Sequence, residues 1–337
     1  MVRYKFEIIE LKDFDSKTFK FIEFPHQEWF IAYVSANHKN INFLEKKTID
    51  SSWSTQIPQN YTNFSELTKI NLNITDIALF FDNKGDLILL YNNLNSQNNH
   101  ELFKVSSFSY GKKWDGPNVI SHEFSSWKLH SNPIIIQKGI KIGTFVVPVE
   151  NEIVKRSFVI ISEDNGKNWH ISLYIEPNDE LDHDYTDEKI LGSYSPVVIE
   201  GYNDDLILFC KISGENIIQS FISYDYGMTW FKSEQFPIFQ IENQGDFDAI
   251  RLRNNENHES LSENILILGS IKIEEKYQII AKNFDLKSLE LKEVWKDPTL
   301  YSSPPRSCQC FQDSSGMIHL LYNFGENKIY HYWQTNS

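Results

Sequence analysis

Side chains able to do acid–base or binding work fall into four short stretches of this 337-residue chain. The first is Trp127-Lys128-Leu129-His130-Ser131-Asn132-Pro133. Histidine is a side chain suited to general acid or base work near neutral pH, which is one reading of His130; the plainer reading is a solvated or structural histidine. Trp127 offers either an aromatic platform for a sugar ring or an anchor for its own loop. The second stretch, residues 179–188, packs six carboxylates and one histidine into ten positions. Two readings stay open for it, a divalent-cation site of oxygen ligands or a solvated acidic loop. It lacks the glycine and ligand alternation of a calcium loop, so no metal is assigned, and Asp184 is carried forward as a possible ligand contact. The third stretch holds Asp246, the candidate pocket carboxylate, and Asp248, which orders a strand start. The fourth runs from Tyr301 to Arg306, whose guanidinium can bind one anionic group.

Such residues need a scaffold, and a repeat supplies it. Ser162-Glu163-Asp164-Asn165-Gly166-Lys167-Asn168-Trp169 aligns without gaps with Ser223-Tyr224-Asp225-Tyr226-Gly227-Met228-Thr229-Trp230. Ser107 to Trp114 is a third copy, with Ser109 in place of the aspartate. The pattern S-x-D-x-G-x-x-W describes a hairpin: Asp accepts bonds from the turn backbone, Gly supplies a positive φ, and Trp packs back between sheets. These boxes, with Asp164, Trp169, Asp225, Trp230 and Trp114, read as structural.

Trp53, Trp114, Trp169, Trp230 and Trp295 are 61, 55, 61 and 65 residues apart by subtraction. A second motif repeats with the same period. Phe81-Asp82-Asn83-Lys84-Gly85 and Gln312-Asp313-Ser314-Ser315-Gly316 each precede a buried apolar strand, ending at Tyr91 and Tyr322. Looser copies end near Val34, Val147, Cys210 and Gly269. Six such repeats predict an all-β, single-domain, six-bladed β-propeller over residues 1–337, with four-stranded antiparallel blades. The strand Arg3 to Leu11 is expected to join the last sheet and close the ring.

Composition narrows the partners. The net charge of −14 repels phosphate backbones, which sets nucleic acid aside. No apolar run of about 18 residues is present, so no membrane-spanning helix is expected. Cys210, Cys308 and Cys310 are too few for a disulfide framework and are read as buried thiols. With an N-terminus lacking a secretion-signal pattern, they fit a cytoplasmic setting. No cofactor is implied.

The boxes and the segments Asp246 to Leu252 and Leu300 to Pro304 resemble the sialidase-like BNR-repeat family. That resemblance implies a tyrosine nucleophile beside a glutamate, an aspartate acid/base and three arginines clamping a sugar carboxylate. Tyr301 matches the setting of the nucleophile. Lys211 falls where the second arginine belongs, Ser195 where the glutamate belongs, and Glu23-Phe24-Pro25 is the nearest match to the first arginine's motif. The third arginine would lie near Glu274-Glu275-Lys276. The chain has five arginines, so a matching triad cannot be assembled. The resemblance further implies a pocket on the face opposite the boxes, lined by the loops that lead into the innermost strands. The expectation is an enzyme acting on a glycoside or glycan-like small molecule there, and not an ordinary sialidase. A non-hydrolytic biosynthetic enzyme and a non-catalytic binding propeller are the alternatives. Tyr301, Asp246 and His130 are the candidate catalytic residues; Arg306, Lys211, Trp127 and Asp184 are the candidate substrate contacts.

Overall fold

The structure, a computed structural model, describes residues 3–24, 27–48, 50–54, 72–97, 99–111, 113–121, 126–176, 192–215, 217–233, 239–240, 245–254 and 260–335. It is a six-bladed propeller of antiparallel sheets. Blade 1 comprises β2 (Phe14–Phe24), β3 (Glu28–Ser35) and β4 (Ile41–Lys46), with the Glu45–Ser54 bridge marking the fourth position. Blade 2 is β5 (Ile74–Phe81), β6 (Leu87–Leu94), β7 (His100–Ser107) and β8 (Asp115–Ser121). In blade 3 the inner strand is split into β9 (Trp127–Leu129) and β10 (Ile134–Ile135), both paired with β11 (Phe145–Asn151). β12 (Arg156–Ser162) and β13 (His170–Ile171) complete it.

Blade 4 holds β14 (Ser193–Glu200), β15 (Leu206–Ile212) and β16 (Ile217–Ser223). Its outer strand is split into β17 (Phe231–Lys232) and β18 (Phe239–Gln240), both paired with β16. Blade 5 is β19 (Asp248–Arg253), β20 (Leu261–Ile273), β21 (Lys276–Asp285) and β22 (Glu290–Lys296). Blade 6 is β23 (Ser307–Gln312), β24 (Ile318–Asn323), β25 (Lys328–Thr335) and, as its outermost strand, β1 (Arg3–Glu10). β1 pairs with β25 over eight positions from Arg3–Thr335 to Glu10–Lys328, so the N-terminal strand closes the ring as the repeat predicts.

The two sequence periods mark two different strands. Val34, Tyr91, Val147, Cys210, Gly269 and Tyr322 lie on the second strand of each blade. Those strands are covered on both faces by neighbouring blades, so they read as continuous apolar runs such as Leu206–Ile212. Alternation still decides which neighbour each residue meets. Ile207 and Phe209 pack toward blade 5, and Leu206, Leu208 and Cys210 toward blade 3. The described residues form six apolar clusters, one at each blade–blade interface. The spaced tryptophans mark the fourth strand, and Trp114, Trp169 and Trp230 each pack against the preceding blade.

The boxes fold as their sequence dictates. Asp164 Oδ1 accepts from the Lys167 and Asn168 amides at 3.0 and 2.8 Å, and Asp225 Oδ1 accepts from the Thr229 amide at 2.9 Å. In the degenerate copy Ser109 Oγ accepts the equivalent bond from the Lys113 amide at 2.8 Å. Gly111, Gly166 and Gly227 have φ of 81°, 79° and 97°.

Candidate functional site

Inner strands in a ring lie too far apart for a backbone ladder, and side chains make the connections here. Asp76 Oδ1 on β5 accepts from the Leu129 amide at 2.6 Å. Gln309 on β23 bonds both the amide and the carbonyl of Phe21 on β2. At the head of β19, Asp246 Oδ2 accepts from the Cys308 amide and Asp248 Oδ2 from the Cys310 amide, both at 2.9 Å. The three thiols are buried, and burial pushes all of them up.

The starts of the inner strands surround a cavity of about 390 Å³, on what we call the front face. It is lined by residues of all six blades, and the Asp boxes, which follow the third strands, lie on the opposite, rear face. His130, at the break between β9 and β10, and Asp246 meet across it. His130 Nε2 lies 3.1 Å from Asp246 Oδ1. Burial opposes ionisation of Asp246, but His130, Lys211 and the Cys308 amide hold its carboxyl down at about 2. Asp248 lacks that company, and burial pushes it up to about 6.

Among the described residues, four cations line the same cavity: Lys20, Lys128, Lys211 and Arg306. Lys20 donates to the His130 carbonyl at 2.6 Å and Lys211 to the Gly245 carbonyl. Both lysines are buried, and burial lowers the pKa of each. Lys128 is raised: burial works against it, but Glu150, Asp76, Glu152 and Asp246 outweigh that. Tyr194 brings a phenol to the wall, with the Lys211 ammonium 5.9 Å from its ring centre. Burial and nearby Glu150 raise that phenol to about 12. Glu150 Oε2 accepts from the amide of Ser195, which has a positive φ of 55° at a register shift in β14.

The sequence-predicted residues separate into three groups. His130, Asp246, Lys211 and Arg306 line the front cavity. Tyr301 and Trp127 do not. Tyr301 donates to Asp297 Oδ2 at 2.7 Å and stacks on Phe324 at 4.0 Å, between blades 5 and 6. Burial raises its pKa, so it is a packed phenol, held on a carboxylate away from the cavity. Trp127 is 3% exposed and packs edge-on against Phe158 at 5.0 Å, as a loop anchor. Asp184 and the acidic stretch 179–188 lie outside the described residues.

Glu23, in the nearest match to the first arginine's motif, sits near the end of β2 at the rear of the axis, bonded to Ser314. The β2 residues that reach the front cavity are Thr18 and Lys20. Lys20, Lys128 and Tyr194 were not singled out from sequence. Alternation along β2 could have found Lys20, since a lysine between Phe19 and Phe21 interrupts an apolar strand.

The family model for the BNR repeat-like domain matches residues 42–262. The chain belongs to that family. Solved structures resemble it over nearly its whole length. A protein of unknown function from Dyadobacter fermentans superposes with a TM-score of 0.68 at 14% identity, covering 99% of each chain. The intramolecular trans-sialidase of Ruminococcus gnavus gives 0.63 at 12% identity, covering 97% of both chains. The NanB sialidase of Streptococcus pneumoniae gives 0.65 at 10% identity, covering 97% of this chain and 70% of the other. At these identities the likeness is one of fold.

Proposed function

We propose that the front cavity binds a carboxylate-bearing glycoside or glycan-like small molecule and that His130 and Asp246 act on it as an acid–base pair. The observation that carries this reading is the convergence of four cations and the His130–Asp246 pair on one cavity, in a chain of net charge −14. A volume of about 390 Å³ suits a sugar-sized ligand.

Each ammonium has three donors. Lys20 and Lys211 each spend one on a backbone carbonyl, which leaves N–H groups for ligand oxygens. Burial disfavours their charge, and an incoming carboxylate adds to the counter-charge of Asp246. The His130 tautomer that places its proton on Nε2, toward Asp246, leaves Nδ1 as the basic atom. Asp246, ionised across the working range, orients the ring and stabilises the imidazolium once it forms. The Tyr194 phenol, beside Glu150 and Lys211, is a further polar group able to contact the substrate.

A panel of chromogenic glycosides, charged and neutral, tests this reading. Turnover is expected for carboxylate-bearing members, with kcat reduced by roughly 10²–10⁴ in His130→Ala. Lys211→Ala is expected to act mainly on KM. Folded protein that turns over no glycoside in the panel overturns the catalytic reading.

A further inference from the structure

We propose that the rear end of the axis is a second ligand site, built for an uncharged, mainly apolar small molecule. The ends of the inner strands enclose a cavity of about 620 Å³ there, separate from the front cavity and sharing none of its lining residues. Six blades around an axis leave a hollow at each end, so its existence needs no special cause. Its lining does. At the front the same strands contribute Thr18, Thr75, Ser195 and Ser307 among the cations. At the rear they contribute Phe24, Phe81, Ile135, Ile199, Ile250 and Phe311. The ring geometry is common to both ends, and the chemistry is not.

Apart from Arg253, the charged side chains that line the rear cavity are occupied by the protein itself. Glu23 accepts from the amide and hydroxyl of Ser314 at 2.6 and 2.7 Å. Glu200 accepts from the Gln137 amide at 2.6 Å. Arg251 donates to the carbonyls of Ser262 and Glu200. Asp248 accepts from the Cys310 amide. Arg253 stands exposed at the rim. A charged ligand would have to break those bonds, whereas an uncharged one needs only the apolar wall. Water in such a bowl finds few partners, so an apolar molecule that displaces it is favoured. The volume lies within the range of small-molecule sites, and the enclosing strand ends exclude a broad protein surface.

The test is a fluorescence titration of the native chain with Nile red, an uncharged apolar probe. Saturable binding of one probe per chain, with blue-shifted emission, is expected. Gln137 and Ser314 are exposed mouth residues contributed by blades 3 and 6. Gln137→Trp and Ser314→Trp block the mouth without entering the core, and each is expected to weaken binding by about tenfold or more. Asp246→Asn, in the front cavity, is expected to leave it unchanged, which separates this site from the one proposed above. Absence of saturable binding, indifference to both mouth variants, or loss of binding in Asp246→Asn overturns the proposal.

Discussion

Asp246 and Asp248 stand two residues apart at the head of β19 and accept equivalent bonds from β23, yet their acidities diverge. The cause is company: His130 and Lys211 face Asp246, whereas burial dominates at Asp248. Their effects on stability should therefore run in opposite directions with pH. The folded pKa of Asp248, about 6, lies above the ordinary value of 3.8. Between those values the folded chain holds more protons, so stability falls as pH rises through the window, by roughly 3 kcal/mol. The folded pKa of Asp246, about 2, lies below 3.8, so its contribution is present above that value and is lost as pH falls toward 2. Asp248→Asn should melt above the wild type near pH 8 and lose that advantage near pH 4. Asp246→Asn should melt below the wild type near pH 7, with the gap closing in acid. Calorimetric melts across pH check both, and a pH-independent difference for either variant contradicts the assignment.

The boxes and the strands they join act at the level of the element. Ser109 Oγ does with one oxygen what Asp164 and Asp225 do with two. Ser109→Asp should therefore stabilise blade 2, by about 0.5–1 kcal/mol. Gly227→Ala should cost about 1 kcal/mol or more, because φ is +97° and the new methyl meets Val159 at 3.3 Å. Thermal melts read both changes, and a neutral Gly227→Ala would contradict the turn geometry.

This is also the scale at which the sequence speaks most clearly. Tryptophan spacing locates fourth strands and the apolar hairpins locate second strands, because both motifs are local in sequence. The site was only partly legible, because it is assembled from strand starts in different blades. His130 and Asp246 were each visible in sequence, but their pairing depends on the break in the blade 3 inner strand, which no local pattern announces. Blade 1 lacks a box to fix its register, and Lys20, which lines the front cavity, belongs to no motif. Tyr301 matched by setting, but packing of blade 6 on blade 5 draws it onto Asp297.

The whole ring depends on one closure, where chain start meets chain end. Glu7 on β1 accepts from Lys46 Nζ, Trp53 Nε1 and His331 Nδ1, each at 2.8 Å. Lys46 is 2% exposed and sits 5.2–5.8 Å from the ring centres of Trp29, Trp53 and Trp333. These groups come from blades 1 and 6, so the cluster fastens the seam. Glu7→Ala strands the buried ammonium of Lys46 and should cost about 3 kcal/mol. A melting temperature equal to wild type would show that the seam does not depend on it. The two ends of the closed axis differ in chemistry, cationic at the front and apolar at the rear, and the central claim concerns the front. Its most direct test is a calorimetric titration of the folded chain with sialic and uronic acids, each beside its carboxamide. A free acid should bind at least about tenfold more tightly than its amide, and Lys20→Ala with Lys211→Ala should abolish that difference. Equal affinity for acid and amide, or no binding of any sugar acid, would contradict the account.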